Sequence, residues 1–165
     1  MKTILKNTFA ILLITLISIS CSHSDDSPSP TSPSNDNFIR CKIDGVDYEV
    51  TGTAITGAQN SLAFDFRSDI SGGGTGMDFS INGQAAVGSY SLTYSNATTA
   101  GRLNYRLNGD IYSSGICSTS SGTLTITSKN GNTIEGTFSF TGKKALGCSN
   151  APKTITNGSF KVTLI

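Results

Sequence analysis

Four cysteines and a single histidine are the side chains of this 165-residue sequence best suited to nucleophilic or metal chemistry. The histidine is His23, near the N-terminus, so the rest of the chain can hold neither a histidine-dependent catalytic triad nor a site with several histidine ligands. The sequence also lacks a Gly-x-Ser-x-Gly elbow and a Ser-x-x-Lys pair. We therefore expect no enzyme, no catalytic residues and no cofactor.

Carboxylates offer the remaining route to catalysis or to calcium binding. They form two groups in the sequence: Asp65, Asp69 and Asp78 around a glycine-rich segment, and Asp44, Asp47 and Glu49 further upstream. A glycosidase needs two carboxyl groups roughly 5 to 10 Å apart in a cleft, and the sequence does not give that distance. A carboxylate-based hydrolase and a calcium site remain alternatives, while our expectation is no metal site. The glycine-rich segment itself, 71–76, has no following Lys-Ser/Thr and predicts a hairpin connection rather than a phosphate loop.

The first 20 residues have the pattern of an export signal. Lys2 and Lys6 precede a stretch, 9–17, that is apolar except for Thr15. This stretch is shorter than the roughly 20 residues that span a bilayer, and polar sequence follows it. We therefore predict that residues 1–20 are a cleaved leader.

The residues that follow the apolar stretch point to the chemistry of Cys21. The segment 17–21, Ile-Ser-Ile-Ser-Cys, resembles the lipobox of bacterial lipoproteins, although Ser18 stands where leucine is usual. The resemblance implies cleavage before Cys21 and attachment of acyl chains to this residue, which together anchor a protein stably in a membrane. An ordinary signal peptide with an incidental cysteine is the alternative.

A polar segment separates Cys21 from the rest of the chain. Residues 21–37 are rich in Ser, Pro and Asp, which predicts a disordered tether. Within it, Ser24-Asp25-Asp26 resembles the acidic signal of lipoproteins exported to the cell surface in the Bacteroidetes. That resemblance implies attachment to the outer membrane and display on the surface, with the periplasm as the alternative location.

Residues 38–165 have the length of one domain and the alternation of an antiparallel β-sheet. Apolar residues recur with period two in several segments, and Asp-Gly or Asn-Gly pairs lie between many of them. The alternating residues are Ile39, Cys41 and Ile43; Leu62, Phe64 and Phe66; Met77, Phe79 and Ile81; Tyr90, Leu92 and Tyr94; Leu103, Tyr105 and Leu107; Leu124 and Ile126; Phe160, Val162 and Leu164. We predict an all-β domain of about ten strands, either an antiparallel β-sandwich or a strongly curved, barrel-like sheet.

Export into an oxidising compartment would allow the remaining cysteines to form a disulfide. Cys117 and Cys148 both lie in polar, turn-rich segments, and we expect them to pair. Cys41 alternates with Ile39 and Ile43, so we expect it to be a buried free thiol. Other pairings remain open at this point.

Several segments of the domain resemble a family of uncharacterised Bacteroidetes lipoproteins. The resemblance covers most of residues 38–165 and is carried by the segments 41–48, 88–90, 121–127, 136–140 and 155–160. It implies an all-β fold and an envelope location, and no established activity comes with it.

These features favour a membrane-anchored binding module for a glycan or an envelope protein, with a structural envelope component as the alternative. Most aromatic residues occupy alternating positions that should face the core. Tyr48 and Tyr112 are the least certain to be buried, so they are the candidates for a binding role. Without Lys2 and Lys6, ten basic residues would face 11 acidic ones, so we expect no nucleic-acid partner. The lipid anchor makes the membrane itself a partner.

Overall fold

A computed structural model describes residues 36–68, 74–144 and 146–165, and this part of the chain is built from β-strands. Two short 3-10 turns, Gly52–Ala54 and Tyr94–Asn96, are its only helical segments. The prediction of an all-β, barrel-like fold with about ten antiparallel strands is confirmed. The strands are β1 (Phe38–Ile43), β2 (Val46–Thr51), β3 (Ile55–Gln59), β4 (Ala63–Ser68), β5 (Gly76–Asn82), β6 (Gly88–Thr93), β7 (Gly101–Leu107), β8 (Asp110–Ser113), β9 (Ser121–Asn130), β10 (Thr133–Lys144) and β11 (Lys153–Thr163).

The strands form two groups that share β10. Sheet A has the order β6-β9-β10-β11-β1-β2, and sheet B has the order β3-β4-β5-β7-β8. The end of β10 joins them, because Lys143 and Lys144 pair with Ser113 and Tyr112 of β8. On the other side, a parallel bridge links Gly57 of β3 to Leu164. The strands thus form one nearly closed sheet.

Two turn pairs of the sequence close tight hairpins. Asp44-Gly45 joins β1 to β2 and Asn108-Gly109 joins β7 to β8, with φ angles of 50° and 86° in the first pair and 51° and 85° in the second. Positive φ at both central residues matches the twist of the flanking strands. Asn157-Gly158 differs, because it lies inside β11, where the pairing with β10 shifts by one residue. There the left-handed residue, Asn157 with φ 54°, forms a β-bulge rather than a turn.

The core lies between the two sheets and is rich in phenylalanine. Phe64, Phe66 and Phe79 of sheet B face Phe138 and Phe160 of sheet A, and all five are buried. Phe64, Phe66, Phe79 and Phe160 belong to the alternation that the sequence predicts, and Phe138 lies between two outward residues of β10 in the same way. Two residues of the predicted alternation lie elsewhere: Leu62 precedes β4 and is 79% exposed, and Tyr94 follows β6 and is 54% exposed.

Several predicted segments lie outside the described residues. These are the leader 1–20, Cys21, most of the tether 21–37, and Asp69 with residues 71–73 of the glycine-rich segment 71–76. In the described part, no helix is long and apolar enough to cross a membrane.

Candidate functional site

The outer side of sheet A carries a regular array of hydroxyl groups, which we call the hydroxyl face. It consists of twelve residues, three on each of four adjacent strands: Ser89, Ser91 and Thr93 on β6; Ser121, Thr123 and Thr125 on β9; Thr137, Ser139 and Thr141 on β10; and Thr154, Thr156 and Ser159 on β11. They point outward because each alternates with a residue that faces the core. No charged residue lies between them, and the next outward positions on β10 and β11 are Glu135, Lys143 and Lys161.

Strand pairing aligns these hydroxyl residues in rows. One row runs Ser89, Thr125, Thr137, Ser159, and another runs Thr93, Ser121, Thr141, Thr154. Neighbours in a row belong to strands about 4.8 Å apart, and successive rows are about 6.8 Å apart along each strand. The middle row reaches β11 at the bulge, where Thr156 and Asn157 lie opposite Ser139.

Most hydroxyl groups of this face have no hydrogen-bond partner within the described chain. Ser89 bonds to Thr125 at 3.1 Å, and Thr93 bonds to Ser95 and Asn96 at 3.0 Å each. The other nine side chains form no such bond in residues 36–68, 74–144 and 146–165. Their donors and acceptors are thus available to a ligand.

Two open grooves run over the hydroxyl face. One of about 610 Å³ is lined by Thr123, Thr125, Thr137 and Ser139. The other, of about 290 Å³, shares Thr123 and Ser139 with it and extends towards Ser121. Because they share lining residues, the two grooves form one continuous, shallow surface.

Paired charges border the hydroxyl face. On the next strand, β1, Arg40 pairs with Glu49 of β2 at 2.8 Å and Lys42 pairs with Asp47 at 2.6 Å. Arg40 and Lys42 lie directly opposite Ser159 and Thr156 of the array. Charge also borders the face along β10 and β11, where Glu135 and Lys161 follow the array on the same outer side and pair at 3.4 Å.

The two tyrosines predicted as binding residues lie away from this face. Tyr48 and Tyr112 are half-buried and pack against the core, on the inner side of the sheet. The ring centroid of Tyr105 is 6.2 Å from that of Tyr112, and Tyr48 is among the groups that raise the pKa of Tyr105, after burial, the main cause. The structure thus brings Tyr48 and Tyr112 to the same end of the barrel without exposing either ring fully.

Tyr48 has an unusual environment. Its hydroxyl is buried, and its contact with Ser68 lacks hydrogen-bond geometry. Burial raises the pKa of this hydroxyl, and the neighbouring Cys41 raises it further. The group is therefore neutral at physiological pH.

The carboxylates of the first hairpin all have cationic partners. Lys153 donates to Asp44 Oδ2 at 2.7 Å, and the Thr154 backbone N–H donates to Oδ1 at 2.9 Å. These bonds lower the pKa of Asp44, with that from Lys153 as the largest cause. Asp47 and Glu49 form the ion pairs of the charged border. In the described chain, no group of three or more His, Cys, Asp or Glu side chains could hold a metal ion.

Asp65 and Asp78 lie on the outer side of sheet B, as the alternation predicts. Asp78 accepts hydrogen bonds from Asn104 Nδ2, at 2.6 Å, and from Arg106 Nε. Two donors thus occupy its carboxylate, which leaves it poorly suited to act as a base.

The cysteines other than Cys21 are arranged as the sequence favours. A disulfide joins Cys117, in the connection from β8 to β9, to Cys148, in the connection from β10 to β11. Cys41 is a buried free cysteine, and burial raises the pKa of its thiol to about 12.

The hydroxyl face was not recognised from the sequence, although part of its signal is visible there. The segments 121–125 and 137–141 place Ser or Thr at every second position. The sequence does not reveal that β9 lies between β6 and β10, which turns separate stripes into an array.

The fold is that of a small, barrel-like all-β domain with a polar outer side. Residues 42–162 match the model of a domain of unknown function, DUF6252, and the chain belongs to this family. No curated protein and no solved structure matches the chain significantly.

Proposed function

We propose that the protein is a bacterial envelope lipoprotein, anchored through Cys21, whose domain binds a neutral polysaccharide on the hydroxyl face without catalysing a reaction. The leader 1–20, the cysteine that follows Ser20, and the polar tether 21–37 support the anchor. The acidic Ser24-Asp25-Asp26 favours the outer membrane and the cell surface over the periplasm.

The observation that carries the proposed binding is that twelve neighbouring outward positions on four adjacent strands form one block of hydroxyl residues with no charged residue between them. Exposed surfaces usually mix charged residues of both signs, and the outer side of this sheet does so around the array, on β1 and β2 and at Glu135 and Lys161. A charged side chain covered by a neutral polymer would lose hydration without gaining a partner. A hydroxyl group can both donate and accept, as the hydroxyl groups of a sugar do.

The size of the grooves and the row spacing suit an extended polymer rather than one small ligand. Each hydrogen bond that replaces water contributes only about 0.5 to 1.5 kcal/mol. The hydroxyl face offers no aromatic ring on which a sugar could stack, so each contact is weak. Many anchored copies on one surface would bind a long polymer through their combined contacts.

Affinity electrophoresis of the full chain in detergent tests this proposal. Gels would contain neutral polysaccharides of different linkage or, for comparison, a polyanion. We expect a neutral polysaccharide to retard the protein. The double variant Thr123→Val with Thr137→Val should lose most of this retardation, because it removes two central hydroxyl groups at nearly constant shape.

The matched control is the double variant Thr51→Val with Thr53→Val, which changes two exposed threonines outside the array. It should migrate like the original protein. Equal retardation of both double variants, or retardation by the polyanion alone, would contradict binding at the hydroxyl face.

A further inference from the structure

Two arginines stand out from the other basic residues of the described chain because they have no polar partner. The described residues include ten basic side chains, and eight of them bind an acidic group or a backbone carbonyl. Those eight are Arg40, Lys42, Arg106, Lys144, Lys153 and Lys161, which form ion pairs, and Lys129 and Lys143, which donate to carbonyls. Arg67 and Arg102 are the exceptions, and both lie on the outer side of sheet B.

Arg67 lines a groove of about 430 Å³ on this side of sheet B. We call it the arginine groove. Ile165 also lines it, and the polar side chains of its lining are those of Thr56, Asp65, Arg67, Asp78, Ser80 and Arg106. Its volume is within the range of small-molecule sites. Arg102 does not line the groove.

The strand register would allow Arg67 to pair with Asp78, which lies directly opposite on β5. Asp78 instead binds Asn104 and Arg106 on β7. The guanidinium of Arg67 therefore keeps its donors free at the edge of the groove. Asn104 is 7% exposed, so one of the two side chains that donate to Asp78 is buried within the sheet.

Asp65 lies two residues from Arg67 on the same side of β4, about 6.8 Å away along the strand. It too forms no ion pair in the described chain, and Ser80 lies opposite it on β5. Thr56 lies opposite Arg67 on β3. The groove thus presents a planar cation, an anion and two hydroxyl groups.

This combination restricts the chemistry of a ligand. A guanidinium binds a carboxylate through two parallel hydrogen bonds. Asp65 only accepts hydrogen bonds, so it favours hydroxyl donors and repels a ligand that is purely anionic. A ligand that satisfies both groups carries a carboxylate and hydroxyl groups within the size of one sugar ring.

We propose that the arginine groove binds an acidic sugar, with its carboxylate on Arg67 and its hydroxyl groups on Asp65, Ser80 and Thr56. The site is on the other sheet from the hydroxyl face and does not rest on the binding proposed there.

Titration of the full chain in detergent with D-glucuronate, followed by calorimetry or NMR, tests this proposal. Glucose, which lacks the carboxylate, and acetate, which lacks the hydroxyl groups, are the comparison probes. We expect glucuronate to bind at least about tenfold more tightly than either, because each probe leaves one of the two charged groups unsatisfied.

Arg67→Gln should weaken glucuronate binding about tenfold or more, and Asp65→Asn should reduce the preference for glucuronate over acetate. Arg102→Gln is the matched control, because it removes an unpaired arginine from the same sheet outside the groove. It should change the affinity less than twofold. Arg67 forms no bond within the described chain, so Arg67→Gln should retain the thermal stability of the original protein.

Equal effects of Arg67→Gln and Arg102→Gln would overturn the proposal, because they would show general charge attraction. Equal binding of glucose, or of acetate, would overturn it as well. The Thr123→Val, Thr137→Val variant should keep its affinity for glucuronate, which separates this test from that of the hydroxyl face.

Discussion

The ring of Phe66 in sheet B stacks on the ring of Phe160 in sheet A, with centroids 4.5 Å apart and planes inclined by 25°. Phe66 also meets Phe79 edge to face at 4.7 Å, and Phe79 meets Phe138 at 4.6 Å. This continuous aromatic cluster joins the inner sides of the two sheets. Because Phe160 is 1% exposed, its loss would leave a cavity at the centre of the barrel.

Phe160→Ala should lower the free energy of unfolding by about 3 to 5 kcal/mol, the range for removal of a buried phenylalanine. Urea unfolding followed by tyrosine fluorescence measures this change. Tyr94→Ala is the control, because Tyr94 is 54% exposed and should change stability by about 0.5 kcal/mol or less. Similar effects of the two substitutions would be inconsistent with an aromatic core at Phe160.

Removal of the disulfide by Cys117→Ser with Cys148→Ser should lower the free energy of unfolding by roughly 3 to 4 kcal/mol. The bridge spans 31 residues and restricts the unfolded chain. Urea unfolding checks the change, and dithiothreitol should lower the stability of the original protein but not that of the variant. A variant as stable as the oxidised original would contradict this prediction.

Cys41 should make stability depend on pH in the alkaline range. Burial raises the pKa of its thiol from 9.0 to about 12, so the folded protein keeps a proton that the unfolded chain loses. The stabilising contribution is complete below pH 9 and is lost as pH rises towards 12, by up to about 1.4 kcal/mol per pH unit.

The test compares urea unfolding of the original protein and Cys41→Ala between pH 8 and pH 11. Cys41 also raises the pKa of Tyr48 and Tyr105, so the difference between the two curves reports the thiol together with its effect on these neighbours. The variant should lose less stability over this range. Parallel curves would mean that Cys41 is not protected from ionisation.

Cys21→Ala should release the protein from the membrane fraction into the soluble fraction, because it removes the residue that would carry the acyl chains. Fractionation of cells followed by immunoblotting measures the distribution, and Cys41→Ala is the matched control that should stay with the membrane. A Cys21→Ala variant that remains membrane-bound would refute anchoring by this residue. Protease treatment of intact cells then separates surface display, in which the protein is cleaved, from a protected periplasmic location.

The alternation of apolar residues predicts the strands that have one buried side and one polar side. Met77, Phe79 and Ile81 of β5 are all buried, and the residues between them face outward. β3 gives no such signal, because Gly57 occupies an inward position where β11 approaches. A Cβ atom there would lie 2.5 Å from Val162 Cγ2. The close approach of β11 therefore leaves no room for a side chain at this position, and β3 lacks the hydrophobic residue on which the prediction depends.

The candidate surfaces could be predicted only in part. Alternating threonines in β9 and β10 are visible in the sequence, but an array needs the order of the strands in space. The arginine groove is harder to predict. Arg67 is unpaired only because Asp78, which lies opposite it, binds Arg106, and the sequence does not show this choice of partner. Pairing of charges across strands depends on the tertiary structure.

The pairing of β1 with β11 also constrains when the domain can fold. Ile39 lies opposite Phe160, and Ile43 lies opposite Ile155, more than a hundred residues later in the chain. During synthesis, the hairpin of β1 and β2 is made first. It can join sheet A only after β11 has been made. Such distant pairing slows folding. In an exported chain, β1 and β2 would thus cross a membrane before they could pair with β11.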